Sequence, residues 1–228
     1  MIVPDEQVTL LPTLSGHWYR VGRAVYPSST TILQAYPKGE VLTKWIADHG
    51  WEESQKLRDA AGRRGTRVHN AIESLLHKEK LDRGVYALEE WWKINLFVDW
   101  FNEYTPQVIE TEKVIWSKKN KFAGTFDLLC TMNDLTYVID YKTSKYVYKS
   151  YHLQNGSYAG AIEEITDIKI DRTAVLHLGS KTKKGYSFKE SEDWKKDYKN
   201  FLAVRKVFEC EYGSNPPSIL ALPKTLRL

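Results

Sequence analysis

The sequence predicts an α/β domain in which a mixed β-sheet is flanked by helices. Helical periodicity dominates the N-terminal half, and three extended segments joined by short polar turns follow it. A helix, two further strands and a last helix complete the pattern. Helices on both sides of a run of strands favour one sheet covered by helices over separate all-α and all-β domains.

In the N-terminal half, we predict strands 17–21 and 23–26 and helices 39–61, 65–80 and 87–104. Gly22 suits the turn of a short hairpin between the two strands. Ser28 or Ser29 is a suitable N-cap for a helix that starts directly after the hairpin. Gly50 is a possible break within the first long helix. The helix 87–104 has apolar residues on more than one face, which predicts that it is well buried. The alternative is that its aromatic side chains stack on unpaired bases, but their spacing is that of a packed helix.

In the C-terminal half, we predict strands 107–116, 121–131 and 135–143, helix 149–165, strands 173–178 and 186–189, and helix 192–211. The turns between the first three strands are short, which predicts an antiparallel meander. The sequence contains no internal repeat and no low-complexity segment.

Composition limits the class of protein. The 228 residues are 42% hydrophobic and include eight tryptophans, enough for one large core. No apolar run approaches membrane-spanning length, and residues 1–7 lack the pattern of a secretory or transit peptide. With Cys130 and Cys210 alone, we expect no disulfide framework and no cysteine-based zinc or iron–sulfur site. These features predict a cytoplasmic protein of a bacterial or phage-infected cell.

Two neighbouring strands each carry one central carboxylate. Asp127 lies in the strand 121–131, and Asp140 in the strand 135–143, two residues before Lys142. Alternation puts Asp140 and Lys142 on one face, and pairing of the strands would bring Asp127 to that face. Two carboxylates bind a hard divalent cation, and a lysine beside them can orient a water or stabilise negative charge. A hairpin with ordinary solvent-facing charges is the alternative, because such short motifs are common by chance.

Further polar residues surround this pair. His69 and Glu73 are four residues apart in a helix, so both can face the same side, although Glu73 has the alternative of pairing with Arg64 or Arg67. A lone helical histidine is by itself more often a packed or surface residue.

The strand before Asp127 and the helix after Lys142 supply other candidates. Glu110 and Glu112 lie two apart in one strand, and only one of them need approach a metal. Gln154 and Tyr158 lie four apart on one helical face. Gly124 lets backbone or substrate pass close to the sheet, or else forms a bulge.

In chain order, the motifs are Gly65-Thr-Arg-Val-His69, Glu112, Gly124-x-x-Asp127, Asp140-Tyr-Lys142 and Gln154-x-x-x-Tyr158. This series resembles that of RecB-type nucleases of the PD-(D/E)XK superfamily. The segments 26–33 and 42–45 are also similar to phage-encoded and mitochondrial genome maintenance exonucleases. The resemblance covers residues 18–160. It implies a single nuclease domain over residues 1–228 with a restriction-endonuclease-like core at residues 65–212, preceded by a hairpin and helical extension at residues 1–64.

The resemblance also implies a metal site. Asp127 and Asp140 would be the metal-binding carboxylates, with the main-chain carbonyl of Tyr141 as a further ligand. His69 would be another ligand, and Glu112 matches the family's acidic residue better than its neighbour two positions earlier. The metal would be Mg²⁺ or Mn²⁺, and a histidine ligand suits Mn²⁺ slightly better.

The remaining motif residues would assist the reaction. By resemblance, Lys142 positions or activates the attacking water, and Gln154 and Tyr158 support the lysine or hold a phosphate. The implied activity is hydrolysis at DNA ends by a metal-dependent deoxyribonuclease acting in repair or recombination. A catalytically silent DNA-binding accessory and a structure-specific endonuclease are the alternatives.

Other features bear on the partners. Net charge is +4, with lysine clusters at residues 118–121, 142–149 and 181–184 that could contact phosphates or simply keep turns solvated. The segment 179–184 lacks the form of a nucleotide-binding phosphate loop, so no nucleotide cofactor is expected. Trp45, Trp51 and Tyr36 are expected to roof the cleft and stack on unpaired bases, which predicts a preference for single-stranded ends.

Overall fold

The structure is a computed structural model that describes residues 7–13, 15–213, 218–220 and 225. Residues 1–6, on which the expectation about targeting signals mostly rests, lie outside the described residues. The elements are β1 (Val8–Leu11), β2 (Trp18–Val21), β3 (Ala24–Pro27), α1 (Ser29–Ile32), α2 (Glu40–His49), α3 (Trp51–Leu76), α4 (Leu88–Tyr104), β4 (Gln107–Ser117), β5 (Phe122–Met132), β6 (Leu135–Lys142), α5 (Lys149–Ile165), β7 (Arg172–Leu178), β8 (Tyr186–Glu190) and α6 (Trp194–Tyr212). Short 3₁₀ turns at Leu33–Ala35 and Arg83–Val85 link some of them.

The larger sheet has five strands in the order β4-β5-β6-β7-β8. The first three strands form the predicted antiparallel meander, and β7 pairs with β6 in parallel after the crossover through α5. The last strand, β8, pairs antiparallel with β7. The predicted fold class, a mixed sheet flanked by helices, is confirmed.

Two apolar cores cover the two faces of this sheet. On one face α3 and α4 pack through fully buried residues such as Ile72 and Trp100. On the other face α5 and α6 pack through residues such as Ile162 and Phe201. Burying a large apolar side chain contributes about 1.5–3 kcal/mol, so the two layers hold the sheet from both sides.

The helical region before the sheet differs from the prediction. A break was expected between residues 61 and 65, but α3 runs without interruption through both Gly62 and Gly65. An interior glycine costs a helix only about 1 kcal/mol, and packing of the second half of α3 outweighs that cost. Gly65 also allows a close approach, since a Cβ there would lie 3.2 Å from Thr143 Oγ1.

The expected all-round burial of the helix 87–104 is wrong. Ile94, Phe97 and Trp100 are buried in α4, whereas Leu88 is 73% and Trp92 46% exposed. The helix covers the sheet from outside, so only one side of it meets the core.

A second, three-stranded sheet, β1-β2-β3, contains the predicted hairpin. Strand β1 was missed, because four residues are too short to show a pattern and pair mainly through the backbone. Ser28 is the N-cap of α1 and accepts a hydrogen bond from the Thr31 amide. Ser28 also bridges to Ala123, and the Tyr19 hydroxyl lies 3.2 Å from Thr125 Oγ1. The small sheet therefore docks against β5.

Within the described residues, no helix combines the length and hydropathy that crossing a bilayer requires.

Candidate active site

Three carboxylates form a row across neighbouring strands of the large sheet. The β4–β5 register puts Glu112 opposite Asp127. The β5–β6 register, continued one residue beyond its last pair, puts Asp127 opposite Asp140. Main-chain pairing ends at this point, and Asp127 Oδ2 instead accepts a hydrogen bond from the Tyr141 amide at 2.7 Å. Strand pairing therefore gathers residues that are far apart in the sequence.

Helix α3 brings His69 to this row. Its Nδ1 lies 3.5 Å from Asp127 Oδ2 and 3.9 Å from Glu112 Oε1. Its Nε2 lies 3.0 Å from the carbonyl oxygen of Tyr141. One ligand atom each from His69, Glu112 and Asp127 lie within 4.8 Å of one another. These three side chains can thus meet at one cation.

The backbone at Glu112 is unusual. Its φ is +44°, in the left-handed region that residues with a Cβ seldom adopt inside a strand. A register shift lies just before it, between Val108 and Glu110. Such strain costs of order 1–3 kcal/mol and tends to occur where a side chain has a functional position. The irregular course of β4 therefore coincides with the carboxylate that joins the cluster.

Lys142 lies next to Asp140 with its own set of partners. Lys142 Nζ is 2.6 Å from Asp140 Oδ2 and donates to Gln154 Oε1 at 3.3 Å. Gln154 Nε2 donates to Asp140 Oδ1 at 3.1 Å and to the Tyr158 hydroxyl at 2.9 Å. The Lys142 ammonium also lies 4.7 Å from the centre of the Tyr151 ring. The ammonium is consequently held in one place from several sides.

The charges at the site perturb one another. Burial lowers the pKa of His69, but attraction to Asp127 outweighs it and raises this pKa to about 9. Burial and the charge of Asp127 raise the pKa of Glu112 to about 8. Burial opposes ionisation of Asp127, yet His69 and Lys142 keep its pKa below the usual range. Burial raises the pKa of Asp140 to about 6, although Lys142 opposes the shift. Several acids thus share a small, largely buried volume.

The donor set fits a divalent metal. Mn²⁺ binds both carboxylate oxygens and imidazole well, whereas Mg²⁺ prefers the carboxylate oxygens. Asp140 lies outside the group of three, and its buried Oδ2 is paired with the Lys142 ammonium at 2.6 Å. Buried acids in one pocket repel each other, and a cation between them would remove that cost.

Two other acidic candidates are not part of the group of three, although Glu73 is near enough to add to the effects of burial and Asp127 that raise the pKa of Glu112. Glu73, expected to reach the metal or pair with a nearby arginine, instead lies 4.0 Å from His77 one turn further along α3. Arg64 and Arg67 contact glutamates at the start of α4. Glu110 is not among the residues that the structure brings together here.

Gly124 makes room for a neighbouring side chain. A Cβ at this position would lie 2.6 Å from Tyr158 Cε1, so residue 124 has to be small because the ring of Tyr158 packs against the strand. The alternative of a bulge is wrong, since Gly124 pairs regularly with Ile115, and the close passage of substrate stays a prediction. The buried Tyr158 accepts its hydrogen bond from Gln154 in this position.

A cavity of about 600 Å³ opens beside Lys142, between α3, the start of α4 and the end of β6. Trp92 and Tyr151 are aromatic residues in its wall. Basic side chains in the wall besides Lys142 are Arg64, Lys93 and Lys145.

The expected aromatic roof is wrong, because Trp45, Trp51 and Tyr36 do not line this cavity. Trp45 packs against His49, with the ring centres 4.8 Å apart. Tyr36 packs against the core beneath the small sheet, and Trp51 is 68% exposed elsewhere on the surface. Aromatic content alone could not show which rings the fold brings to the cleft.

Several residues around the site were not identified from the sequence. Tyr151 precedes Gln154 by three residues, so the spacing of one helical face could have indicated it. The buried His177 holds the carbonyl of Ser144 at 2.6 Å, and this contact between distant segments left no sequence signal. The same is true of Ser29, which accepts a hydrogen bond from Ser157 Oγ at 2.8 Å.

No protein-family model and no curated protein sequence matches this chain. Among solved structures, an alkaline exonuclease (LHK-Exo) from Laribacter hongkongensis is similar with a TM-score of 0.42 and 9% identity, over 82% of this chain and 87% of that protein. The structure of SSO0001 has a TM-score of 0.36 and 15% identity, over 68% and 72%. Similarity this low carries no conclusion about activity.

Proposed function

We propose that this protein is a metal-dependent exonuclease that hydrolyses phosphodiester bonds at DNA ends, of the RecB type within the PD-(D/E)XK superfamily. The observation that supports it is the convergence of Asp127, Asp140 and Lys142 with His69 and Glu112 across three neighbouring strands of a helix-covered sheet. A carboxylate cluster can bind the metal that phosphodiester hydrolysis uses, and an adjacent, immobilised ammonium can stabilise the negative charge that develops.

His69, Glu112 and Asp127, with Asp140 and the carbonyl of Tyr141 beside them, would hold Mg²⁺ or Mn²⁺. When bound, the metal supplies charge neutralisation on the phosphate and a water of lowered pKa. Lys142 carries a positive charge next to this position and would orient the attacking water or stabilise charge that develops on the phosphate. Gln154 binds both Lys142 and Asp140, and Tyr158 binds Gln154, so these two residues keep the lysine in register.

The substrate that we propose is a DNA end, preferably single-stranded, in the cytoplasm of a bacterial or phage-infected cell. The basic wall of the cavity beside Lys142 favours a polyanion. Digestion of 5′- and 3′-labelled single-stranded and duplex oligonucleotides with Mg²⁺ or Mn²⁺ tests this proposal. Stepwise shortening supports an exonuclease. Cutting of covalently closed circles points to an endonuclease, and binding without cleavage to a DNA-binding accessory.

We expect Asp140→Asn and Lys142→Ala each to abolish cleavage while DNA affinity stays within roughly tenfold, because each removes charge at the reacting phosphate and leaves most phosphate contacts intact. Asp134→Asn is a matched control, since Asp134 is exposed in the β5–β6 turn with φ +61°, a conformation that asparagine tolerates. Initial rates and fluorescence anisotropy measure the two effects. Near-normal turnover in either site variant would refute the assignment.

A further inference from the structure

We propose that the cavity beside Lys142 is a subsite for unpaired nucleotides at the end of a DNA strand, and that Trp92 is the ring on which a base stacks. The inference rests on the proposed function and deepens it, because it names the structural state of the substrate. Trp92 thereby replaces Trp45, Trp51 and Tyr36 as the candidate for base stacking. Three features of the cavity wall support it.

The first feature is the setting of Trp92. The residue is 46% exposed and belongs to α4, on the side that does not meet the core. Its ring lies against the β7–β8 turn, where a Cβ on Gly185 would be 3.4 Å, and one on Gly179 3.6 Å, from indole carbons. Glycines at these two positions let the indole pack against the backbone of the turn. A ring held on one side and half exposed is a preorganised stacking surface.

The second feature is the distribution of charge. The two acids of the wall are already paired, since Glu89 Oε1 lies 2.6 Å from Lys93 Nζ and Glu90 Oε1 lies 2.9 Å from Arg67 Nε. Lys145 is exposed at the mouth of the cavity, with its ammonium 5.5 Å from the centre of the Tyr146 ring. Glu89 also contacts Arg64, and Lys142 is paired with Asp140. The wall nevertheless has more basic side chains than acids, since Arg64, Lys93, Lys142 and Lys145 face only Glu89 and Glu90, and this excess attracts phosphates.

The third feature is the position and size of the cavity. Its wall includes Lys142 and His69, so a strand that lies in it also passes the cluster where cleavage is proposed. Its volume of about 600 Å³ is in the range of sites that enclose small organic ligands, roughly 300–1,000 Å³. A base inside a duplex has both faces covered by its stacked neighbours, so stacking on Trp92 within this cavity favours an unpaired end.

The test measures binding without cleavage. In the Asp140→Asn background with Mn²⁺, fluorescence anisotropy gives the affinity for a fluorescein-labelled oligothymidylate and for a blunt duplex of equal length. Trp92→Ala is expected to weaken single-strand binding roughly five- to 150-fold, the effect of losing one stacked base, and to change duplex binding less than twofold. Trp92→Phe should retain most of the affinity, because a ring remains.

Trp51→Ala is the matched control, since Trp51 is an exposed helical tryptophan outside the cavity. It should leave both affinities unchanged. Single-strand affinity of Trp92→Ala within twofold of that of Trp51→Ala overturns the inference, and so does an equal loss on both substrates. If the Ala variant does not fold, Trp92→Leu, which keeps an apolar side chain but no ring, should show the same selective loss, and unchanged single-strand affinity in that variant overturns the inference. If the wild-type chain cleaves no DNA but the selective loss is observed, the proposed function fails and the subsite stands.

Discussion

His69 connects the helical layer to the strands at the centre of the site. One ring nitrogen lies 3.0 Å from the Tyr141 carbonyl oxygen and the other 3.5 Å from Asp127 Oδ2. Its place in a helix does not by itself distinguish His69 from an ordinary packed or surface histidine. Its contacts with β5 and β6 give it the position of a ligand.

We expect His69→Ala to weaken Mn²⁺ binding by at least roughly 10–100-fold. Loss of a residue that only supports a metal ligand has an effect of this size, and loss of a ligand should cost no less. Raising the Mn²⁺ concentration should restore part of the cleavage. Isothermal titration calorimetry measures the affinity directly. His77→Ala is the control, because His77 lies at the end of the same helix, is 60% exposed and contacts only Glu73 among the acids of α3 described here. An unchanged titration curve for His69→Ala would leave this residue a structural role only.

Helix α5 is the element that holds Lys142 in place. Gln154, Ser157 and Tyr158 are all buried in it: Gln154 donates to Asp140 of β6 and to the Tyr158 hydroxyl, and Ser157 donates to Ser29 of α1. The ring of Tyr158 fits only because residue 124 of β5 has no side chain. Packing between α5 and β5 thus determines where Gln154 can hold Lys142.

We predict that Gly124→Ala lowers the free energy of unfolding by about 1–3 kcal/mol, because the added methyl group overlaps the Tyr158 ring. Cleavage should fall as well, since Gln154 shifts with Tyr158. The matched control is Gly62→Ala in α3, where a Cβ meets nothing within 4 Å. That variant should gain about 0.4–1 kcal/mol. Urea unfolding followed by circular dichroism measures both. Equal stability of Gly124→Ala and wild type would contradict the packing argument.

Across the whole molecule, Glu90 ties the start of α4 to α3. It is 5% exposed, its Oε1 accepts from Arg67 Nε at 2.9 Å, and its Oε2 accepts from the Ala87 amide at 2.9 Å. Burial opposes ionisation, but the bonds to Ala87 and Arg67 prevail and lower the pKa of Glu90. A carboxyl with a lower pKa in the folded state stabilises the fold above its unfolded pKa, about 4.3. That stability is lost as the pH falls through the folded pKa.

Glu90→Gln should therefore lower the free energy of unfolding at pH 7 by about 1–3 kcal/mol, and the difference from wild type should shrink as the pH falls below about 4. Glu53→Gln is the control, since Glu53 and Lys56 form an exposed pair 4.0 Å apart, and its effect should stay below about 0.5 kcal/mol. Urea titrations at several pH values measure the change. A difference that is constant with pH would show that the charge of Glu90 does not contribute.

Much of the architecture could be predicted from local patterns. The strands of the meander and the helix Lys149–Ile165 follow from hydrophobic periodicity and polar turns, signals that lie within a few residues of one another. Local signals were not sufficient at α3, where separate helices 39–61 and 65–80 were predicted but tertiary packing keeps one helix continuous across the junction. The division of the domain at residue 64 stays a prediction, although α3 crosses that point.

The sequence by itself determined which residues are candidates for the chemistry, Glu112 rather than Glu110 among them, because the ordered series of carboxylates, histidine and lysine resembles one known set of motifs. Only the tertiary structure decided which of these side chains lie within reach of one cation, that Gly124 makes room for Tyr158, and that Trp92 lies in the cleft. Each of these depends on contacts between segments far apart in the chain. Such contacts arise from strand register and layer packing, which no local pattern of residues encodes.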